Sequence, residues 1–219
     1  MRRGTRTGKP HCVQKCLYSR AMSPARTAVL IVHGIWDSAA RIAPLAAALR
    51  ARGHAEVFTV DLRPNDGRAP LEELAEQVQE QVEAICTERG DTQLDLIGFS
   101  MGALIARYYV QRLGGRERVR RFVSISGPHA GTWTAYALPF AGVRQMRPTS
   151  AFLRELQRDA DPFGPVQVHC VYTPWDLMIV PPHSSVLPGA QSVHRVPVRL
   201  HRWMLTDARV VERVAELLL

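Results

Sequence analysis

The 219-residue sequence predicts an α/β fold in which a mostly parallel central sheet of about six strands is covered by helices on both faces. Short runs of β-branched and aliphatic residues alternate along the chain with segments of three- and four-residue apolar spacing. Strands separated by helices pair in parallel, because the crossover returns each strand to the same end of the sheet. The first such run, residues 27–32, also lacks the in-out alternation of a half-solvated strand, so it is to be buried on both faces.

Residues 27–32 (Thr-Ala-Val-Leu-Ile-Val) are the first such run, ended by His33-Gly34. Residues 39–52 place Ile42, Leu45 and Leu49 on one face and close on Gly53, the pattern of a helix with a C-terminal glycine. A second strand is expected at residues 56–60. The turn-forming Pro64-Asn65-Asp66-Gly67 precedes an amphipathic helix carried by Leu71, Leu74, Val78, Val82 and Ile85. Residues 94–97 form a third short strand, 98–102 a tight turn, and 103–113 a helix stopped by Gly114-Gly115. A fourth strand covers 119–125. The pattern loosens between Gly127 and Pro165, where one helix, 150–158, is expected and any lid is minimal. Strands near 166–172 and 192–196 follow. A final helix begins at Thr206, apolar at Val210, Val211, Val214, Leu217 and Leu218. This length suits one domain, residues 26–219.

Apolar residues make up 46% and charged residues 22% of the chain, and no apolar run approaches the roughly 20 residues of a membrane-spanning helix. The net charge is +8 and almost wholly arginine, since Lys9 and Lys15 are the only lysines. The positive charges are scattered and no nucleic-acid module is present, so no nucleic-acid partner is expected, while peripheral contact with a lipid surface is compatible with the charge. Residues 1–25 are basic, contain no Asp or Glu and lack the apolar core of a secretory signal. They fit a disordered arm, an organellar presequence or sequence upstream of a start at Met22, and the absence of an export signal points to the cytoplasm. Cys86 and Cys170 fall in an apolar helix and an apolar strand, as small hydrophobes do. His11, Cys12 and Cys16 fall short of a closed zinc set, so no metal is expected. Nothing indicates an oligomeric state.

The chemistry centres on Gly98-Phe99-Ser100-Met101-Gly102, between an apolar strand and a helix. A serine hydroxyl is a weak nucleophile at neutral pH and must stand exposed beside a base. A strand-to-helix turn presents it that way, and glycines on either side relieve crowding at the bend. Acyl transfer needs N–H donors aimed at the developing oxyanion. The amide of Met101 is one. The loop His33-Gly34-Ile35-Trp36 supplies the other, assigned to Ile35, with His33 shaping the loop. The acid of such a site lies near the end of a later strand and precedes the histidine. No carboxylate occurs between Glu117 and Glu155, and Asp176 is the only one between Asp161 and Asp207. Of the later histidines, His183 lies in a proline-rich loop and His194 within a strand, whereas His201 lies between the last strand and the final helix. Asp176 and His201 are therefore the expected acid and base, with no cofactor required.

These residues resemble the small bacterial lipases and esterases of the α/β-hydrolase fold, including the lidless Bacillus lipases, over most of residues 27–215. Val32-His33-Gly34-Ile35 looks like that family's oxyanion loop, Phe99-Ser100-Met101-Gly102 like its elbow, and Gly127-Pro128-His129-Ala130-Gly131-Thr132 like the segment after the next strand. The stretch from Asp176 to Pro182 resembles the loop bearing the acid, and His201 aligns with the base. The departure is Val198-Arg199-Leu200-His201, which puts Arg199 where the family often has glycine and brings a positive charge to the expected rim. The resemblance implies hydrolysis of an apolar small-molecule or lipid ester through an acyl-enzyme. An acyltransferase or thioesterase uses the same triad, and a non-catalytic lipid- or partner-binding protein can share the fold. Trp36, Trp133, Tyr136, Phe140 and Ile179 are candidates to wall an acyl pocket, though the cluster from Trp133 to Phe152 equally suits packing beneath a long loop.

Overall fold

The computed structural model describes residues 27–219 except Ala55. The N-terminal extension, with His11, Cys12 and Cys16, lies outside the described residues. Six parallel strands form one sheet in the order β2-β1-β3-β4-β5-β6: β1 (Val29–Val32), β2 (Val57–Val60), β3 (Leu94–Phe99), β4 (Val119–Ile125), β5 (Gln167–Tyr172) and β6 (Ser192–Arg195). This is the α/β-hydrolase fold with helices on both faces, as the strand-helix alternation requires.

Alternate residues of the same strand feed two cores, which is why β1 reads as an unbroken apolar run. Leu30, Val32, Leu96 and Phe122 pack with α2 (Leu71–Arg89) and α3 (Met101–Arg112). Val29, Ile31, Ile97 and Val123 pack on the other face with α1 (Ala39–Ala51) and α7 (Ala208–Leu217). Among the described residues no helix is long and apolar enough to cross a membrane.

The differences from the sequence reading are local. β3 runs on through Gly98 to Phe99 and α3 starts at Met101, so the turn narrows to Ser100 itself. A short helix, α4 (Gly115–Arg118), follows the glycine stop before β4. The irregular region contains a 3-10 turn, Trp133–Tyr136, and two short helices, α5 (Ala141–Gln145) and α6 (Ala151–Leu156). The side chain of Ser150 caps α6 by accepting from the Leu153 amide at 3.2 Å. α5 is placed by contacts distant in sequence: the Gly142 amide donates to Gly67 O at 3.0 Å, and the Leu71 amide to Gln145 Oε1 at 2.7 Å. The expected last helix starts later, after Asp207 accepts from the Arg209 amide at 3.0 Å, and His201–Leu205 form a 3-10 turn ahead of it.

In this strand order β1 lies between β2 and β3, so connections leave to opposite sides from neighbouring strands. A crevice opens at the carboxyl ends of β1 and β3, the position where open parallel sheets bind ligands.

Candidate active site

Ser100 follows β3 at this crevice with φ 54°, in the left-handed region that a side chain ordinarily avoids. Trp36 and Ser126, just beyond β1 and β4, share the feature with φ 57° and 48°. Three of the four non-glycine residues with positive φ among the described residues thus gather at the carboxyl ends of the central strands, the fourth being Thr149 in the irregular region, and such strain marks a turn held for function.

Packing dictates the glycines around Ser100. A Cβ on Gly98 would lie 2.5 Å from Ala103 Cα, and one on Gly102 would lie 2.3 Å from His33 O and 2.6 Å from Val32 O. The first contact keeps the turn tight, and the second lets α3 lie directly on the end of β1. A Cβ on Gly34 would be 3.0 Å from Ser100 Cβ, so the loop after β1 passes beside the serine.

That loop is pinned by His33, which is fully buried. The Leu62 amide donates to His33 Nε2 at 3.0 Å, so Nδ1 carries the proton and donates to Gly34 O at 2.8 Å. His33 therefore ties the loops after β1 and β2 together. Neither the Ile35 nor the Met101 amide donates to a protein acceptor among the described residues. The Met101 amide begins α3, where a helix leaves its N–H groups unpaired.

Asp176 lies beyond β5 and is buried, only 3% exposed. Its Oδ1 accepts from the Met178 and Ile179 amides, both at 2.9 Å, and its Oδ2 accepts from His201 Nδ1 at 2.7 Å. Burial pushes the carboxyl pKa up, but the bond to His201, the charge of that ring and the two amides outweigh it and hold the group below the ordinary carboxylate value. Among the described residues, His201 Nε2 is buried and has no hydrogen-bond partner. The ring packs on Phe99, with centroids 4.8 Å apart. Ser100 and His201 line the same cleft without a hydrogen bond between them, a contact that free enzymes often leave long until substrate binds.

The cleft has a volume of about 440 Å³. Of the residues singled out from sequence, Ser100, His201, Ile35, Trp36 and Arg199 line it. Trp133, Tyr136, Phe140 and Ile179 do not, and each is occupied elsewhere. Trp133 and Tyr136 stack at 5.6 Å, with the Arg147 guanidinium 4.8 Å from the Tyr136 ring. Phe140 packs against the α2 and α3 core beneath Arg68, and Ile179 is 3% exposed. His183 lies outside the cleft, and His194 pairs with Ser192 at 2.8 Å on β6.

The apolar wall comes instead from Trp36, Phe99, Leu177, Met178 and Leu200. Leu177 and Met178 directly follow Asp176, and Leu200 precedes His201. Leu177 is 75% exposed, so its neighbourhood to the acid was the only signal available in the sequence. Asp37, Arg41 and Arg202 also line the cleft and carried no signal. Cys170 is no rival nucleophile: it is fully buried and its thiol is pushed up to about 11 by that burial.

The sequence profile of the palmitoyl protein thioesterase family matches residues 28–175. The chain belongs to this family. The match covers the loop after β1, the elbow and the approach to Asp176. No curated protein matches the chain in sequence. Among solved structures, the chain is similar to the mature lipase BlEst2 of Bacillus licheniformis, with 13% identity, TM-score 0.75, and 89% of this chain and 93% of that one covered. It is similar also to Aspergillus fumigatus lipase B, with 17% identity, TM-score 0.76, and 90% and 53% covered. A third is the monoacylglycerol lipase of Paleococcus ferrophilus, with 14% identity, TM-score 0.66, and 88% and 95% covered. At these identities the likeness is one of fold.

Proposed function

We propose that this protein is a serine hydrolase that cleaves apolar acyl esters through an acyl-enzyme. One observation carries the reading: a histidine anchored on a buried carboxylate through Nδ1 keeps its Nε2 unpartnered in the cleft that also holds the strained serine. Ser100 Oγ attacks the acyl carbonyl and His201 Nε2 takes its proton. Asp176 holds the imidazole in that tautomer and stabilises the imidazolium. The unpaired amides of Ile35 and Met101 receive the oxyanion. His201 then gives the proton to the leaving group, and water, activated by the same nitrogen, releases the acid. Trp36, Leu177, Met178 and Leu200 hold the acyl chain.

A thioester in place of the oxygen ester is the second reading, favoured by the family match. The steps are the same with sulfur as the leaving atom. The test is hydrolysis of p-nitrophenyl esters of increasing chain length, beside thioesters of the same acids, by the protein and its Ser100→Ala variant. Turnover abolished in the variant supports the reading, and the better leaving class names the bond. Equal turnover in both proteins removes it.

A further inference from the structure

The cleft continues past Asp37, Arg41 and Arg202 into a second hollow of about 260 Å³, completed by Trp203, Leu205 and Thr206. Arg41 comes from the first turns of α1, and Arg202 from the 3-10 turn that carries His201. Arg199 joins them on the rim of the larger cleft. Apart from His201, the titratable groups lining the two hollows are these three arginines and Asp37.

None of the three guanidinium groups has a hydrogen bond or an ion pair to another described residue. Several arginines elsewhere are engaged, Arg112 with Asp159 at 2.5 Å, Arg118 with Glu83 at 3.0 Å, Arg120 with Asp95 at 2.6 Å and Arg209 with Asp207 at 2.8 Å, and others such as Arg144 are not, so what sets the cleft arginines apart is their shared place. Two unpaired, planar forks of donors, those of Arg41 and Arg202, therefore line the second hollow, with Arg199 on the lining of the larger, mainly apolar cleft. Such forks suit phosphate, whose oxygens accept in pairs.

Direction follows from the chemistry. His201 protonates the leaving atom, so the alcohol or thiol departs on the histidine side, where Arg199 and Arg202 flank His201 in the chain. We infer that the second hollow is a leaving-group subsite for phosphate, and that the substrate class is an acyl ester or thioester whose alcohol or thiol bears a phosphate group. This rests on the serine-hydrolase reading above. Balance is that of hydrolysis: the acyl–oxygen or acyl–sulfur bond breaks, the Ser100 proton passes through His201 to the leaving atom, and the phosphate is bound but not transferred.

Two substrate pairs differ only in phosphate. One is 1-decanoylglycerol and its 3-phosphate, representing a lipid headgroup. The other is decanoyl pantetheine and its 4′-phosphate, representing a soluble thiol. All are assayed below their micelle concentrations. The ratio of kcat/KM with phosphate to that without is expected to exceed about tenfold in one pair, which identifies the source. It should fall about tenfold in the Arg41→Gln/Arg202→Gln variant and stay high in Arg144→Gln, an unpaired arginine outside the cleft. The same affinity ratio is read by calorimetry on Ser100→Ala protein, so the subsite is tested even if turnover is absent. Ratios within about twofold of one in both pairs and both readouts, or a preference unchanged in the double variant, overturn the inference while leaving ester hydrolysis standing. A preference seen only with anionic vesicles also overturns it, in favour of attraction to a lipid surface.

Discussion

Replacing Asp176 with Asn separates the catalytic role proposed for this acid from its structural one. Asp176 accepts three hydrogen bonds, two at Oδ1 from the Met178 and Ile179 amides and one at Oδ2 from His201. An asparagine has one accepting atom, and the two fixed amides claim it, since turning the NH₂ toward them would oppose buried donors. The NH₂ group then faces His201 Nδ1, which must accept, and the ring proton moves to Nε2. That tautomer cannot take the Ser100 proton. Nearly all packing survives, so the loss of stability should be about 1 kcal/mol, whereas kcat should fall about 10⁴-fold, or roughly 5.4 kcal/mol of barrier. Turnover of p-nitrophenyl butyrate and the urea midpoint are measured on the same preparation. A fall of less than about tenfold in a folded variant would show that Asp176 does not set the tautomer.

Gly102→Ala should cost about 1–3 kcal/mol, because its Cβ would meet the backbone of β1 and α3 has to move; a Tm lowered by roughly 3–10 °C is expected, and one unchanged would contradict the packing argument. His129 is fully buried beside the Arg107 charge, and burial first, with that charge second, holds its pKa well below the ordinary value. The unfolded chain binds its proton near pH 6.5, so below that pH it holds more protons than the folded protein, and stability is lost as pH falls, by up to about 1.4 kcal/mol per unit. Urea midpoints from pH 7.5 to 5.5 should show a shallower slope in His129→Asn; an equal slope would remove the assignment. Trp133→Ala, outside the cleft, should change kcat/KM by no more than about threefold, and a larger loss would return Trp133 to the acyl pocket.

The fold was legible because β1, buried on both faces, writes itself as an unbroken apolar run and the later strand-length segments alternate with amphipathic helices. β4 was read to its ends, since Gly114-Gly115 before it and the Gly127-Pro128 after it punctuate the chain. Asp176 and His201 were legible as a pair for a narrower reason: the carboxylates run out in this part of the chain. The apolar wall of the cleft was not. Aromatic content drew attention to Trp133, Tyr136 and Phe140, but that segment is fastened through non-local bonds, Thr132 Oγ1 and Thr134 Oγ1 both donating to Met178 O at 2.8 and 2.7 Å. It supports the acid loop from behind and leaves the lining to the residues beside Asp176 and His201. The meeting of Arg41 with Arg202 was equally unreadable, because it depends on α1 and the 3-10 turn after β6 arriving at the same end of the sheet.

The most direct test of the central claim is the mass of the protein quenched during turnover of p-nitrophenyl butyrate, followed by peptide mapping. The account predicts one butyryl group per chain, on the peptide containing Ser100 and absent from Ser100→Ala. Turnover that continues with the acyl group on another residue, or persists undiminished in the variant, would contradict it.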